Sequence, residues 1–268
     1  MTAARLFPAL LVASLALALC FLTFPIVAIF VDVPPGELVA SLGEEGTLEA
    51  LRVSLEATGA ALAVILIVGT PAAWFLATRS FPGRALAVTL VELPLVLPPA
   101  VAGIGLLAAI GPGGLLGPAI EDAGVELVFQ TAGVVVALVF VASPFYVRQA
   151  QSGFASIDPT LLEASRTLGA SEARTFVRIA IPAAFPSLVA GTALAWGRAL
   201  GEFGATLVFA GSLRGITQTA PLAIFERFST DFAGALALSA VLVALSAAIL
   251  LGVKLVSNVG FGGAQARG

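Results

Sequence analysis

Four ionisable side chains lie inside long apolar stretches of this sequence: Glu56, Glu92, Arg198 and Glu202. A charge at the centre of a bilayer costs at least about 2.5 kcal/mol, so such a side chain is normally paired or faces water. Groups of this kind neutralise one another, hold helices together or line a path for an ion. Charge compensation, rather than bond making, is therefore the chemistry that these residues offer.

The residue types that the chain lacks restrict its chemistry further. It contains no histidine, which excludes imidazole catalysis and pH sensing by imidazole. Its single cysteine, Cys20, lies in an apolar run, so an internal disulfide is excluded and we expect no metal site. The sequence has no Gly-x-x-x-x-Gly-Lys-Ser/Thr loop for nucleotide phosphates. We therefore expect no catalytic residue and no cofactor bound by this chain.

Arg198 and Glu202 are four residues apart, so on a helix their side chains share one face and can meet. Two interpretations stay open. The pair holds helices together, or Arg198 transiently offsets the charge of a passing anion while Glu202 keeps that attraction weak enough for release. In either case, removing one member should be worse than removing both, because a single deletion leaves a buried charge uncompensated.

Glu92 precedes a stretch in which Pro94, Pro98 and Pro99 interrupt an apolar run. Prolines inside a helix remove backbone hydrogen bonds and kink it. Irregular backbone within a bilayer lines a cavity or is buried in protein, so this segment is expected to face a pore or a neighbouring helix. Glu92 stays open between pore lining and helix packing. Glu56, one turn into its apolar run, is expected to have an interfacial structural role.

The elements that position these residues are transmembrane helices. Of the 268 residues, 59% are hydrophobic and 11% are charged, against about 25% charged in an average soluble domain. The apolar runs exceed the roughly 20 residues that a helix needs to cross a bilayer. The sequence therefore predicts one all-α integral membrane domain over residues 1–268. Its six predicted spans are residues 6–31, 53–78, 85–110, 131–146, 183–210 and 231–256.

The distribution of basic residues predicts the orientation. Six spans place both termini on one side, and if that side is the cytoplasm, nine basic residues lie inside and three outside, as the positive-inside rule requires. The nine are Arg5, Arg79, Arg84, Arg148, Arg166, Arg174, Arg178, Lys254 and Arg267, and the three are Arg52, Arg214 and Arg227. We therefore predict cytoplasmic termini and external connectors at residues 32–52, 111–130 and 211–230.

A polar, basic segment at residues 157–182 separates the fourth and fifth predicted spans. Asp158, followed by a proline, is typical of a helix start. Gly169 can end that helix in a left-handed conformation, and Ser171 can cap a second helix, which Pro182 should stop. The predicted helix, sharp turn and helix form an amphipathic elbow, whose apolar face suits a groove on a partner.

The spacing within this elbow resembles a known family. The residues that carry the resemblance are Glu163, Ala164, Ser165, Gly169, Ile179 and Pro182. They resemble the cytoplasmic coupling loop of bacterial ABC-importer permeases, whose usual pattern is Glu-Ala-Ala, Gly and then Ile-x-Leu-Pro. Ser165 and Ile181 depart from that pattern conservatively. The resemblance implies a type I ABC-importer permease fold whose elbow couples to a cytoplasmic ATPase.

Three further stretches, residues 93–103, 198–204 and 217–225, resemble the oxyanion permeases, most of all those of molybdate uptake. Sulfate/thiosulfate and tungstate permeases are the alternatives. The likeness covers about residues 50–256. It implies a bacterial or archaeal cell membrane, a second permease copy that completes a homodimer, two cytoplasmic ATPase subunits that bind ATP and Mg²⁺, and an extracytoplasmic oxyanion-binding protein. Nucleic acid is not among the implied partners.

Two other classes are weighed against this interpretation. A secondary transporter is also hydrophobic with broken helices, but it needs no elbow with this spacing. A membrane scaffold without transport activity is the second alternative. Gln218 and Thr219 lie outside in the predicted topology, where they would contact the binding protein or form an ordinary turn.

Overall fold

The computed structural model describes residues 3–34, 36, 40 and 42–265. Glu37, in the predicted external connector at residues 32–52, and Arg267, one of the nine basic residues predicted inside, lie outside the described residues, as do the side chains of Arg5 and Lys254. The described part of the chain is helical and contains no strand. Its helices are α1 (Ala3–Asp32), α2 (Glu45–Thr78), α3 (Arg84–Val96), α4 (Pro99–Ile110), α5 (Gly117–Asp122), α6 (Thr131–Ala155), α7 (Pro159–Thr167), α8 (Glu172–Thr175), α9 (Ile181–Leu200), α10 (Gly204–Ala210), α11 (Ala220–Phe228) and α12 (Phe232–Gln265).

The long apolar helices form six candidate membrane spans. Among the described residues, five helical stretches are long and apolar enough to span a bilayer, and α3 with α4 forms a sixth that is bent by 119° at its break. The prolines at that break explain the bend, since they cannot continue the backbone hydrogen-bond ladder. The six spans that the sequence predicts are therefore confirmed in number.

Contacts at the two ends of the bundle show that the bent pair crosses rather than returns. At one end, here called the elbow end, Arg79 after α2 forms an ion pair with Glu172 of α8. At the opposite end, here called the far end, the Thr131 hydroxyl donates to the Ile216 carbonyl at 2.9 Å. Ile110, the last residue of α4, lines the same far-end cavity as Thr131, whereas α3 begins beside the elbow end.

The core of the bundle is formed by α2, α6 and α9. The ring of Tyr146 on α6 lies between two glycines of the neighbouring helices. A Cβ atom at Gly69 would lie 3.0 Å from that ring, and one at Gly191 would lie 3.2 Å from it. The Tyr146 hydroxyl is 2.6 Å from that of Thr70. The helices α1 and α12 pack at the side of this core, and α1 leaves its apolar surface exposed.

Several predicted boundaries were wrong. α2 begins at Glu45, so the first acidic connector is shorter than predicted, and α6 continues to Ala155 instead of ending at residue 146. The fifth span breaks after Leu200 and resumes at Gly204. Two of the three predicted external connectors, residues 111–130 and 211–230, contain a helix, α5 and α11 respectively. The predicted boundaries of α2 and α6 lie beside Arg52 and Arg148, and each helix continues past that charged residue.

Candidate functional site

The elbow at residues 157–182 folds largely as its residue types predict. The Asp158 carboxylate accepts the Thr160 backbone N–H at 2.9 Å, and this hydrogen bond lowers the pKa of Asp158. Gly169 adopts a φ of +78°, the left-handed conformation that suits glycine at this turn. The Ser171 hydroxyl oxygen accepts the Arg174 N–H at 3.3 Å and so caps the second helix.

The end of the elbow differs from the prediction, because Pro182 does not stop the second helix. A π-helical segment, Phe176–Ala180, joins α8 directly to α9, and the helical stretch is continuous over Glu172–Leu200. An α-helix would press the carbonyl of residue 178 against the Pro182 ring. The wider π turn directly before the proline relieves that contact.

Polar and aromatic contacts hold the elbow as one unit on the bundle. The hydroxyls of Ser165 and Thr175 lie 2.7 Å apart and are buried, which joins α7 to α8. The Phe176 ring lies 5.6 Å from that of Trp74 on α2, and Trp74 is in edge contact with Phe154 on α6. A displacement of the elbow would therefore be passed to α2 and α6 through packed side chains.

The surface of the elbow that faces away from the bundle is available to a partner. Glu163, Ala164 and Pro182 are exposed, and Ile179 is half-buried. Leu168, at the tip of the turn, is 88% exposed and adds an apolar side chain to this surface. The hydroxyl contact of Ser165 and the exposure of Leu168 are features that sequence reasoning did not identify.

Two discontinuous spans meet at their breaks. The third span breaks before Pro99 and the fifth before Gly204, and a Cβ atom at Gly204 would lie 2.7 Å from the Pro99 Cβ. One turn further along, a Cβ atom at Gly103 would lie 2.6 Å from the Val208 Cβ. Both glycines allow α4 and α10 to touch. Pro98 is exposed and Pro94 is partly buried, so the break is neither fully enclosed nor free of contacts.

Glu202 lies in the break of the fifth span and is 1% exposed. Its Oε1 accepts the backbone N–H of Ala205 in the first turn of α10 at 2.7 Å. Its Oε2 lies 2.6 Å from Nη2 of Arg198 on α9, as an ion pair whose angle falls outside hydrogen-bond geometry. The expected pairing is present, and one carboxylate bridges the two halves of the span.

Glu92 of α3 pairs with a residue that the sequence did not single out as a pathway candidate. Nε of Arg148 on α6 lies 2.8 Å from Glu92 Oε1. The side chains of both residues are partly exposed in the single chain, at 38% for Glu92 and 48% for Arg148. Arg148 was predicted to follow the fourth span, but it lies inside α6.

The remaining candidates lie at the far end. Glu56 is 3.9 Å from Arg52 one turn earlier on α2, and both side chains are 63% exposed, which fits an interfacial position. Gln218 and Thr219 are buried, and the Gln218 amide donates to the carboxylate of Glu226. Because both side chains are buried in the single chain, the structure favours an ordinary connector, one of the two predicted alternatives, over contact with a binding protein. Within the described residues, no cluster of carboxylates or thiols could hold a metal ion.

Comparison with known proteins gives a consistent result. The family of binding-protein-dependent transport system inner membrane components matches residues 65–258. The molybdenum transport system permease protein ModB of Mycobacterium tuberculosis is 39% identical, over 90% of this chain and 91% of that protein. ModB of Escherichia coli is 37% identical over 76% and 90% of the two chains. The sulfate permease CysW of Synechococcus elongatus is 35% identical over 71% and 66%.

Solved structures show the same fold. A bacterial ABC transporter that imports the acidic polysaccharide alginate matches with a TM-score of 0.75 over 95% of both chains. The MetNI methionine ABC transporter, in inward-facing conformations, matches with a TM-score of 0.59 over 80% of this chain and 94% of that one. Both are 18% identical in sequence, so they establish the architecture alone.

Proposed function

Because the chain belongs to the family of binding-protein-dependent transport system inner membrane components, it is the permease subunit of an ABC importer, and we propose that its solute is an oxyanion, with molybdate as the first candidate. It is a transport subunit, and ATP hydrolysis belongs to a separate nucleotide-binding subunit. The proposal is supported mainly by the length of the match to the molybdenum permease relatives, which covers nearly the whole chain rather than the elbow alone. Tungstate is expected to share the path because it has the same shape and charge.

The elbow is the proposed contact with the ATPase. Glu163, Ala164 and Leu168 offer an exposed surface on a turn that Gly169 and the buried Ser165 hydroxyl hold in shape. Eight basic residues predicted at this end against three at the other, once Arg148 of α6 is left out, support a cytoplasmic position for this end, with both termini on the same side. In this arrangement, closure of the ATPases moves the elbow, and the aromatic contacts pass the movement to the spans.

The complete importer would contain a second copy of this chain, two ATPase subunits that bind ATP and Mg²⁺, and an extracytoplasmic binding protein that selects the anion. A path for a doubly charged anion must bind it weakly enough to release it. Arg148 and Arg198, two cations of the described spans, each have a carboxylate partner, which suits that requirement. Membership of the ABC class favours this assembly over the secondary transporter and the scaffold that the sequence left open.

Sulfate is the second candidate solute, since sulfate permeases are also among the relatives. The test is uptake into vesicles that hold the complex purified from native membranes through a tag on this chain. With ATP trapped inside and the binding protein outside, labelled molybdate should accumulate, and omission of ATP should abolish the accumulation. Transport of an amino acid or a sugar, with no oxyanion uptake, would overturn the proposal.

A further inference from the structure

Glu92 and Arg148 lie within two of the apolar helical stretches that are candidate membrane spans, nearer the elbow end than the far end. Glu92 is eight residues beyond the start of α3 at Arg84, a rise of about 12 Å. Arg148 is seven residues before the end of α6 at Ala155, a rise of about 10 Å. Two helices that run in opposite directions thus bring opposite charges to the same depth, where their side chains are 2.8 Å apart.

The exposure of this pair determines what it can face. Both side chains are more than a third exposed in the single chain, and no residue of α3 is fully buried. Charges at this depth do not face lipid, because lipid can neither hydrate nor pair them. The surface that carries Glu92 and Arg148 therefore faces a water-filled path or another protein chain.

The two charge pairs of the spans differ in how easily they can separate. Glu202 is 1% exposed and is also fixed by the Ala205 amide, so Arg198 cannot lose this partner without leaving a buried carboxylate. Glu92 has no such second bond among the described contacts, and water can replace Arg148 beside it. Only the exposed pair can open and close repeatedly.

The guanidinium of Arg148 has more N–H donors than its described contacts use. Its Nε approaches Glu92, and one terminal nitrogen lies 3.5 Å from the Gln151 side-chain oxygen, at the limit of a hydrogen bond. An arginine carries five N–H donors in a planar fork, which matches two oxygens of a tetrahedral anion. A carboxylate is the natural competitor for the same donors.

We propose that Arg148 is the cation that the transported oxyanion meets in the inner half of the path, and that Glu92 competes for it. The anion takes the place of the Glu92 carboxylate on the guanidinium, and the carboxylate returns as the anion leaves, which keeps Arg148 from holding its solute. This inference rests on the proposed function as an oxyanion permease. It assigns to Arg148 a direct contact with the solute.

The experiment compares Arg148→Gln, Glu92→Gln and the double variant in the reconstituted complex, with Arg52→Gln as a matched control. Arg52 also pairs with a glutamate, but at the far end and with a 63% exposed side chain. Initial molybdate uptake and ATP hydrolysis are both measured per assembled complex. Arg148→Gln should lower uptake by at least about tenfold, the effect of one lost hydrogen bond to a charged group, while ATP hydrolysis continues. Arg52→Gln should leave both unchanged.

The double variant separates the two roles of the pair. If Arg148 contacts the anion, the double variant transports as poorly as Arg148→Gln, because the cation is still missing. Recovery of wild-type uptake in the double variant would overturn the inference, since a pair that only packs helices is satisfied once both charges are gone. If Arg148→Gln fails to assemble, Arg148→Lys is used, because lysine keeps the charge but lacks the planar set of guanidinium donors. Less uptake per ATP hydrolysed is then expected, and unchanged uptake would contradict the inference. A wild-type complex that moves no oxyanion would instead refute the proposed function.

Discussion

Replacing Arg198 by glutamine should destabilise the permease more than replacing Glu202 by glutamine. The Arg198→Gln variant leaves the Glu202 carboxylate, which is 1% exposed, without a cation. Breaking a buried ion pair in this way typically costs about 3–5 kcal/mol, because the remaining charge cannot be hydrated. The Ala205 N–H stays as a donor, which places the expected loss near the lower end of that range.

Glu202→Gln is expected to be milder for two reasons. The glutamine oxygen can still accept the Ala205 N–H, so the first turn of α10 keeps its partner. The side chain of Arg198 is 26% exposed and can gain some hydration after it loses the carboxylate. The double variant, which leaves no charge in the break, should recover most of the stability that Arg198→Gln loses.

Thermal unfolding of the purified complex in detergent, together with abundance in the membrane, measures these differences. The predicted order of stability is wild type, then the double variant and Glu202→Gln, with Arg198→Gln last. A double variant no more stable than Arg198→Gln would refute the argument from an uncompensated buried charge. Normal abundance with lost uptake in every variant would instead assign the pair to the transport path.

Three further predictions concern the elbow, the packing and the orientation. Gly169→Val should strain the left-handed turn and lower uptake and permease-stimulated ATP hydrolysis together. Gly169→Asn should retain both activities, because asparagine tolerates the left-handed conformation. Equal activity of the two variants would contradict the role of this turn. Gly153→Ala places a Cβ atom 2.3 Å from that of Ser187 and should destabilise the permease by about 1–3 kcal/mol in thermal unfolding. Gly59→Ala, at a glycine with open space around it, should not. Equal unfolding midpoints of the two variants would contradict the close contact of α6 and α9. A reporter fused after Gly83 should be cytoplasmic and one fused after Gly124 external, and the reverse result would overturn the orientation.

The sequence predicts the features of this protein that depend on local residue chemistry. The glycine turn and both capped starts of the elbow follow from Asp158, Gly169 and Ser171, because each acts on its own neighbours in the chain. The break of the third span follows from its prolines for the same reason. The break of the fifth span was missed, since Gly201-Glu202-Phe203 contains no proline and depends on contacts between α10 and α4.

The two ion pairs show the same difference between features set by neighbouring residues and features set by contacts between helices. Arg198 and Glu202 could be paired from their spacing alone, because one helical turn separates them. Arg148 could not be paired with Glu92 from the sequence, since 56 positions and a change of helix lie between them. In addition, the predicted fourth span ends at residue 146, before Arg148. The sequence left Gln218 and Thr219 open between contact with a binding protein and an ordinary turn, because it does not show whether a polar residue in a connector is buried.

Competition between two labelled anions tests the central claim most directly. Vesicles that hold the wild-type complex and trapped ATP are supplied with molybdate and sulfate at equal concentrations, together with the co-purified binding protein, and the two labels are counted in the same sample. The account predicts ATP-dependent accumulation of molybdate, with sulfate remaining near the level of vesicles without ATP. Preferential accumulation of sulfate, or accumulation of neither anion while ATP is hydrolysed, would contradict it.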